Sequence, residues 1–511
     1  MPLSYRRSGS VQFRHPMHLP EPDQERLAKK DAAVKALLVV LPRECVLFSA
    51  EDLIAYECDG VSAYRQAPMA VVLPRSTDEV SAVMKILHGL QLPVVPWGAG
   101  TGLSGGALPL GDGVTVALSK MRQILEIDLD NGCAVVQPGV TNARITQAVQ
   151  ADGFYYAPDP SSQIACSIGG NVAENSGGVH CLKYGVTTNN LLGLEVVLAD
   201  GEVLRVGGKS LDAPGYDLMG LLTGSEGLLG IITEVTVRLL RKPETARAVL
   251  AVFDTVEASG QAVADVIAAG MVPAGMEIMD KLAIEASEDY AKAGYPVGVE
   301  AILLIEHDGP EVEVNYLLER TETVLRAAEA TEIRVSASEQ ERLRLWAGRK
   351  AAFPAMGRLS PDYYCMDGTI PRGALATVLG KIRELSGSYD LRVANVFHAG
   401  DGNLHPLLLY DGNVPGELEK AEQMGAEILK LCVDVGGVLT GEHGVGIEKR
   451  DLMTYQFNER DLDAMQHVKC SFDAESMLNP GKMFPVLRRC AELGAMHIHD
   501  GKLPFPELER F

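Results

Sequence analysis

Several features that would place a chain quickly are missing from this one. It contains no Cys-x-x-Cys: Cys45, Cys58, Cys133, Cys166, Cys181, Cys365, Cys432, Cys470 and Cys490 are scattered and odd in number. That pattern argues against a disulfide framework and against a cysteine-ligated cluster held by this chain alone, and it suits a reducing compartment. Long apolar runs are also missing. None approaches the ~18 residues of a spanning helix, and Lys35 interrupts even the stretch from Ala32 to Leu41. The first twenty residues carry Arg6, Arg7 and Arg14 but no apolar core, so they do not read as a secretory signal. An organellar transit segment and a frayed tail are the two readings left for them. Positive charge is scarce: 46 basic against 68 acidic side chains give a net charge of −22. Such a surface repels polyanions, and nucleic acid is not expected as a partner. The expected compartment is the cytoplasm.

What the chain does have is glycine, 52 residues of it, concentrated at Gly98 to Gly113, Gly169 to Gly185, Gly201 to Gly230 and Gly436 to Gly446. Between these clusters lie short β-branched runs such as Ala70-Val71-Val72-Leu73, Val94-Val95, Val114-Thr115-Val116 and Val135-Val136, which read as strands. Helical signals alternate with them. Ser76-Thr77-Asp78-Glu79 is a cap ahead of Val80, Val83, Met84 and Leu87 at helical spacing. At Lys242-Pro243 the texture shifts to helix formers around the strand-like Ala301 to Ile305. The organisation predicted is an α+β protein in four parts: a helical extension over 1–50, a first domain over 51–241, a second over 242–437, and a tail over 438–511 that packs back on the first.

The segment Gly98-Ala99-Gly100-Thr101-Gly102-Leu103-Ser104-Gly105 contains the spacing G-x-G-x-x-G after a predicted strand. A Rossmann site needs a helix next, and Pro109, Gly111 and Gly113 stand where it would begin. The Rossmann reading therefore fails. What survives is a nest of backbone N–H groups suited to a pyrophosphate, with a surface turn as the alternative. Two further segments are rich in small and amide side chains. The first holds Pro158, Ser161, Ser162, Gly169, Gly170, Asn171, Asn175 and Gly178; the second runs from Gly224 through Glu226 and Gly230 to Ile231.

Histidines carry the strongest chemical signal. Val393 to His398 and His405 to Tyr410 read as strands around Ala399-Gly400-Asp401-Gly402-Asn403-Leu404. Asp-Gly favours a two-residue hairpin turn. With Asp401 and Gly402 at its centre, His398 would face His405, close enough for both imidazoles to reach one metal or to pair with each other. Glu442, in Gly441-Glu442-His443-Gly444, would complete a two-histidine, one-carboxylate set for zinc, iron(II) or manganese, leaving His443 free as a base. The alternative is a tight turn with an exposed acid.

These motifs, in this order over residues 50–485, resemble the FAD-linked oxidases with a flavin domain of the vanillyl-alcohol oxidase type. The resemblance implies a two-part FAD-binding domain plus an α+β substrate (cap) domain bearing a metal-site hairpin. It places the FAD pyrophosphate on Gly98 to Gly105 and lines the flavin with the other two segments. Many members tether the flavin through a histidine in the pyrophosphate loop; this loop has none, so FAD is expected to be non-covalent. His180 would either touch the cofactor or serve as packing.

His398, His405, Glu442 and His443 narrow the resemblance to the D-2-hydroxy acid dehydrogenase branch. Trp346 to Pro354 and Tyr363 to Asp367 bring it nearest the FAD-bearing subunits of bacterial glycolate oxidases. In that branch the two histidines and the glutamate hold the metal, zinc foremost, and the following histidine is the base. Arg349 matches an arginine that grips the substrate carboxylate, a task its planar fork suits. Relatives specific for hydroxyglutarate carry a lysine where this chain has Cys365, which favours a small monocarboxylate such as glycolate or D-lactate. Nothing resembles a nicotinamide site. Electrons would pass to an iron–sulfur partner subunit or to quinone, with peripheral attachment at the inner face of the membrane through such subunits. Rival readings are a D-lactate dehydrogenase acting alone, a flavin oxidase that reduces oxygen directly, and a non-catalytic FAD-binding subunit.

Overall fold

The computed structural model describes residues 20–210 and 215–485. The arginines of the extreme N-terminus, Cys490 and the end of the tail lie outside the described residues. The α+β character expected from the sequence is what the structure shows.

Two larger sheets and the short antiparallel pair of Phe154–Tyr155 with Leu240–Arg241 make up the first half. Val46–Leu47, Ala70–Val72, Val114–Ala117 and Val94–Trp97 form a four-stranded sheet in that spatial order, its last three strands parallel. Parallel neighbours need a crossover. Thr77–Leu90 supplies one, capped by Ser76, whose side chain accepts from the Glu79 amide. Val80, Val83, Met84 and Leu87 are buried against the sheet, so the apolar spacing read as helical does face a core. Between Gly106 and Val114 there is no helix, which is why the glycine loop is not a Rossmann site. The second sheet is antiparallel, ordered Ile124–Asp128, Cys133–Val136, Ile231–Arg238, Leu191–Val197 and Val203–Gly207.

The second half is built on a nine-stranded sheet. Its centre runs Thr245–Phe253, Ala301–Gly309, Gly275–Asp280 and Val393–His398, all antiparallel. Helices cover both faces, and successive residues serve opposite sides. Val249, Ala251 and Phe253 join one core with Val263, Val314, Val378 and Ile428, while Ala248, Leu250 and Val252 join another with Ile284, Leu345 and Trp346. A strand buried on both faces has no polar side, hence the unbroken apolar run at Ala301 to Ile305.

The tail from Val438 returns to the first half. Leu478 bridges to Val94, and Asn479 donates to the carbonyls of Gly106 and Glu226. The fully buried Lys482 donates to the carbonyls of Gly106 and Leu108. Among the described residues, no helix is long and apolar enough to cross a membrane.

The candidate flavin cavity and the histidine cluster at its end

A cavity of about 480 Å³ opens between the glycine-rich segments, within the ~300–1,000 Å³ usual for ligand sites. Its wall takes in Gly98, Gly100, Thr101, Gly102 and Leu103 from the first segment. Ser161, Ser162, Gly169, Gly170 and Asn171 come from the second, and Glu226 and Gly230 from the third. The remaining predicted contacts lie behind the wall. Ser104 is buried, Gly105 abuts Ile447, and the Pro158 carbonyl accepts from Asn142. The Asn175 amide oxygen accepts from the Thr188 N–H, Gly178 backs onto Asp159, and Ile231 is a core residue beside the lining Ile232.

His405, Glu442 and His443 also line this cavity, beside Phe353. The hairpin that carries the two histidines does not have the predicted register. His398 pairs with Asn403 and Asn395 with Pro406, so Ala399 to Gly402 form a four-residue connection rather than a two-residue turn. Gly402, at φ +84°, donates to the His398 carbonyl, and the Asp401 side chain accepts from the Asn403 amide. A shift of two residues preserves which face each side chain occupies. The imidazoles of His398 and His405 therefore still converge, with ring centroids 5.0 Å apart.

Glu442 Oε1 lies 3.3 Å from His398 Nε2 and 3.4 Å from His405 Nε2. Both ring nitrogens of His405 are buried without a hydrogen-bond partner. Ligands ~2.0–2.1 Å from a tetrahedral metal stand about 3.3 Å apart, which the two Glu442 distances match, and the three ligand atoms all lie within 4.8 Å of one another. His398 Nδ1 is 2.7 Å from Glu277, which faces it across the sheet. A carboxylate behind a histidine in this way fixes the tautomer that leaves Nε2 for a metal. A proton on His398 would stand between the carboxylates of Glu277 and Glu442. Burial opposes that proton, but the charge of Glu277 and the bond to Glu442 hold the His398 pKa well above its ordinary value. Burial likewise opposes charge on Glu442, yet its bond to His398 and the imidazole charges bring it down to about 2.

His443 stacks on His405 at 4.7 Å and 8°. Its Nδ1 is buried without a partner, and burial lowers its pKa to about 4 against the pull of Asp367. At neutral pH it is an uncharged imidazole. Arg349 is placed otherwise. It is almost wholly buried, pairs through Nε and Nη2 with Glu277 at 2.7 and 2.6 Å, and stands in the layer behind His398. Its Nη1 has no partner. His180 is pinned by Asp159 at 3.1 Å and Glu306 at 3.2 Å, away from the cavity lining.

Sequence reasoning missed several neighbours. Lys350 lines the cavity, 3.3 Å from Asp159, so a cation is present although Cys365 is not one. Glu174 lines it too, with a buried unpartnered Oε2 and a pKa raised well above normal by burial and by Glu226. Gly177 donates to Glu442 Oε2 at 2.7 Å. A lone acid in an apolar strand, as in Gly275-Met276-Glu277-Ile278-Met279, is a signal that could have found Glu277.

Comparison with known proteins agrees with this architecture. Residues 68–207 match the FAD binding domain, and residues 242–483 match the C-terminal domain of FAD linked oxidases. The glycolate oxidase subunit GlcD of Escherichia coli (strain K12) is 57% identical over 490 residues, covering 96% of this chain and 97% of that protein. The corresponding subunit of Bacillus subtilis is 43% identical, covering 84% and 92%. A D-lactate dehydrogenase of Anaerostipes hadrus is 33% identical, covering 83% and 91%. Among solved structures, p-cresol methylhydroxylase superposes with a TM-score of 0.76 at 18% identity, covering 90% of this chain and 97% of its own. A 4-ethylphenol oxidase from Gulosibacter chungangensis also gives 0.76, at 20% identity, covering 92% and 99%. Those two likenesses speak to the fold, and the near full-length relatives to lineage: the chain belongs to the FAD-linked oxidases.

Proposed function

We propose that this protein oxidises a small 2-hydroxy acid, glycolate or D-lactate, to the 2-keto acid, using non-covalent FAD and a divalent metal. The observation that carries the reading is that His405, Glu442 and His443 open into the same cavity that the three glycine-rich segments wall. FAD supplies a two-electron acceptor for the C2 hydride, and the metal supplies Lewis acidity that lowers the pKa of a hydroxyl. His398, His405 and Glu442 hold the metal, zinc first and iron(II) or manganese as alternatives. His443, uncharged at neutral pH, takes the hydroxyl proton. Lys350 from the cavity wall provides countercharge for the substrate carboxylate, and Arg349, its charge paired with Glu277, braces the Glu277 carboxylate behind His398.

Relatives named as glycolate oxidase subunits support assembly with further subunits. We assign the next electron acceptor to an iron–sulfur subunit or quinone, and the compartment to the cytoplasm, peripheral to the inner membrane face through those subunits. Direct reduction of oxygen is the rival. Anaerobic mixing of the FAD-loaded protein with glycolate, D-lactate, L-lactate and D-2-hydroxyglutarate, with and without chelator, tests the reading. Chelator-sensitive bleaching of the flavin by glycolate or D-lactate is the expected result. No bleaching by any of the four overturns the substrate class, and full bleaching by metal-free protein removes the metal. Rapid reoxidation on admitting oxygen alone would favour the rival.

A further inference from the structure

The loop that carries Glu442 and His443 has almost no regular structure of its own, yet its backbone is caught at nearly every step. The amides of Gly441, Glu442 and His443 donate to the Asp367 carboxylate at 3.0, 3.2 and 2.9 Å. Those of Val445 and Gly446 donate to Glu226 at 2.6 and 2.7 Å. Those of Ile447 and Glu448 donate to the Ser104 carbonyl at 2.9 and 3.0 Å. Asp367 belongs to the second half of the chain, Glu226 and Ser104 to the flavin cavity segments.

We propose that Asp367 is the positioning residue that aims Glu442 and His443, with the buried Lys449 as its fixed counter-ion. Asp367 and Lys449 are fully buried and 3.0 Å apart. Lys449 also donates to Thr440 Oγ1 at 3.2 Å and to the Gly444 carbonyl at 3.0 Å, and Thr440 donates to Asp367 at 2.6 Å. One ion pair therefore closes both ends of the turn around Glu442-His443. Three successive amides converging on one carboxylate fix the backbone dihedrals between them, and with those the directions of the two side chains. Asp367 also stands near His405 and His443, a set that could itself hold a metal. Its Oδ2 is taken by amides, a hydroxyl and an ammonium group, which makes it an anchor, while Oδ1 accepts the Glu442 amide at 3.2 Å and lies 3.5 Å from His405 Nε2.

The consequence of this anchoring rests on the metal site proposed above; its geometry does not. The test uses the full, FAD-loaded chain and two variants, Asp367→Asn and Asp367→Asn/Lys449→Met. The second removes the lysine that the first would leave buried with Glu448, 3.7 Å away, as its remaining carboxylate. Amide-resolved hydrogen exchange is the direct measurement. Exchange at Glu442 and His443 should speed up ~10–100-fold, the worth of a hydrogen bond to a charged group, while Val445 to Glu448 keep their protection and Gly441 keeps part of its own through the Asp367 carbonyl. FAD content should not change. In titrations with Zn²⁺ and Mn²⁺, affinity should fall ~10–100-fold, as for lost outer-shell partners of a metal site. Unchanged protection at Glu442 and His443 in the double variant would overturn the proposal, and so would lost metal with that protection intact, the mark of a direct ligand. Wild-type protein that binds neither metal would refute the metal site instead, and the exchange result would still decide the role of Asp367.

Discussion

The two pieces of chain that meet at the end of the cavity are built on different principles. The hairpin bearing His398 and His405 is held by strand pairing, a short-range device in which face and spacing follow from residue count. Even a register different from the predicted one leaves both imidazoles together, because the shift is an even number. The loop bearing Glu442 and His443 has no such protection. It depends on Asp367, Glu226, Gly177 and Ser104, which lie 75 to 338 positions away along the chain. The hairpin should tolerate small disturbances that the loop does not.

The largest effect should come from removing a ligand on either side. His405→Ala and Glu442→Gln should each lose metal while keeping FAD, with turnover down on the order of 10⁴-fold, the several kcal/mol a Lewis acid supplies. Metal analysis beside dye-coupled oxidation checks this, and retained activity in metal-free preparations would break the comparison at its root. Next comes His443→Ala, which should keep both metal and FAD and lose ~10³-fold in turnover, within the range of general-base catalysis. Loss of metal in that variant would make His443 a ligand and not a base.

A smaller effect separates the two pieces directly. A Cβ on Gly177 would stand 2.6 Å from Glu442 Oε2, so Gly177→Ala should push the carboxylate aside and weaken metal binding ~10–100-fold. Gly402→Ala in the hairpin, strained at positive φ and with its Cβ driven into the Ile370 carbonyl, should cost more stability than Gly177→Ala, yet in the molecules that fold metal affinity should stay within a few-fold. Equal losses of metal affinity in the two variants would erase the distinction. Smaller again are the carboxylate partners. Lys350→Met should raise KM more than it lowers kcat, as expected for lost substrate binding, whereas Arg349→Lys, which loosens the brace on Glu277, should weaken metal binding before it changes KM. Unchanged KM in Lys350→Met would move the carboxylate elsewhere.

The smallest effect lies outside the cluster, where His180 ties the first half to the second. Although burial opposes it, the Asp159 and Glu306 charges raise its pKa from 6.5 to about 10. A raised histidine stabilises the fold fully below pH 6.5 and loses that contribution as pH climbs through about 10. Wild type should therefore lose more thermal stability than His180→Gln between pH 6.5 and 10, by ~1–2 °C. Parallel profiles would deny the histidine its charge.

Much of this was legible in the residues. The glycine clusters, the breaker residues after Gly106 and the apolar alternation announced an α+β chain whose glycine loop leads into no Rossmann helix, because turns and periodicity are local properties. His398, His405, Glu442 and His443 were legible as a set because few other roles call for those residue types at that spacing. Arg349 was legible as a forked cation, but its burial against Glu277 was not, since cross-strand partners are chosen by sheet order. The same holds for Lys350, which faces the cavity while its neighbour in sequence faces the core.

What the sequence determined alone, then, was the kind of chemistry available: strands, turns, a nest of amides, and ligand-type side chains in small clusters. Only the tertiary structure decided how they are aimed. It set Glu277 opposite His398, closed Asp367 and Lys449 around the Glu442-His443 turn, and brought Gly177 to the other oxygen of Glu442. The physical reason is that a loop without its own hydrogen-bonding pattern must satisfy its amides elsewhere, and the acceptors that do so are set by packing, not by neighbours in the chain.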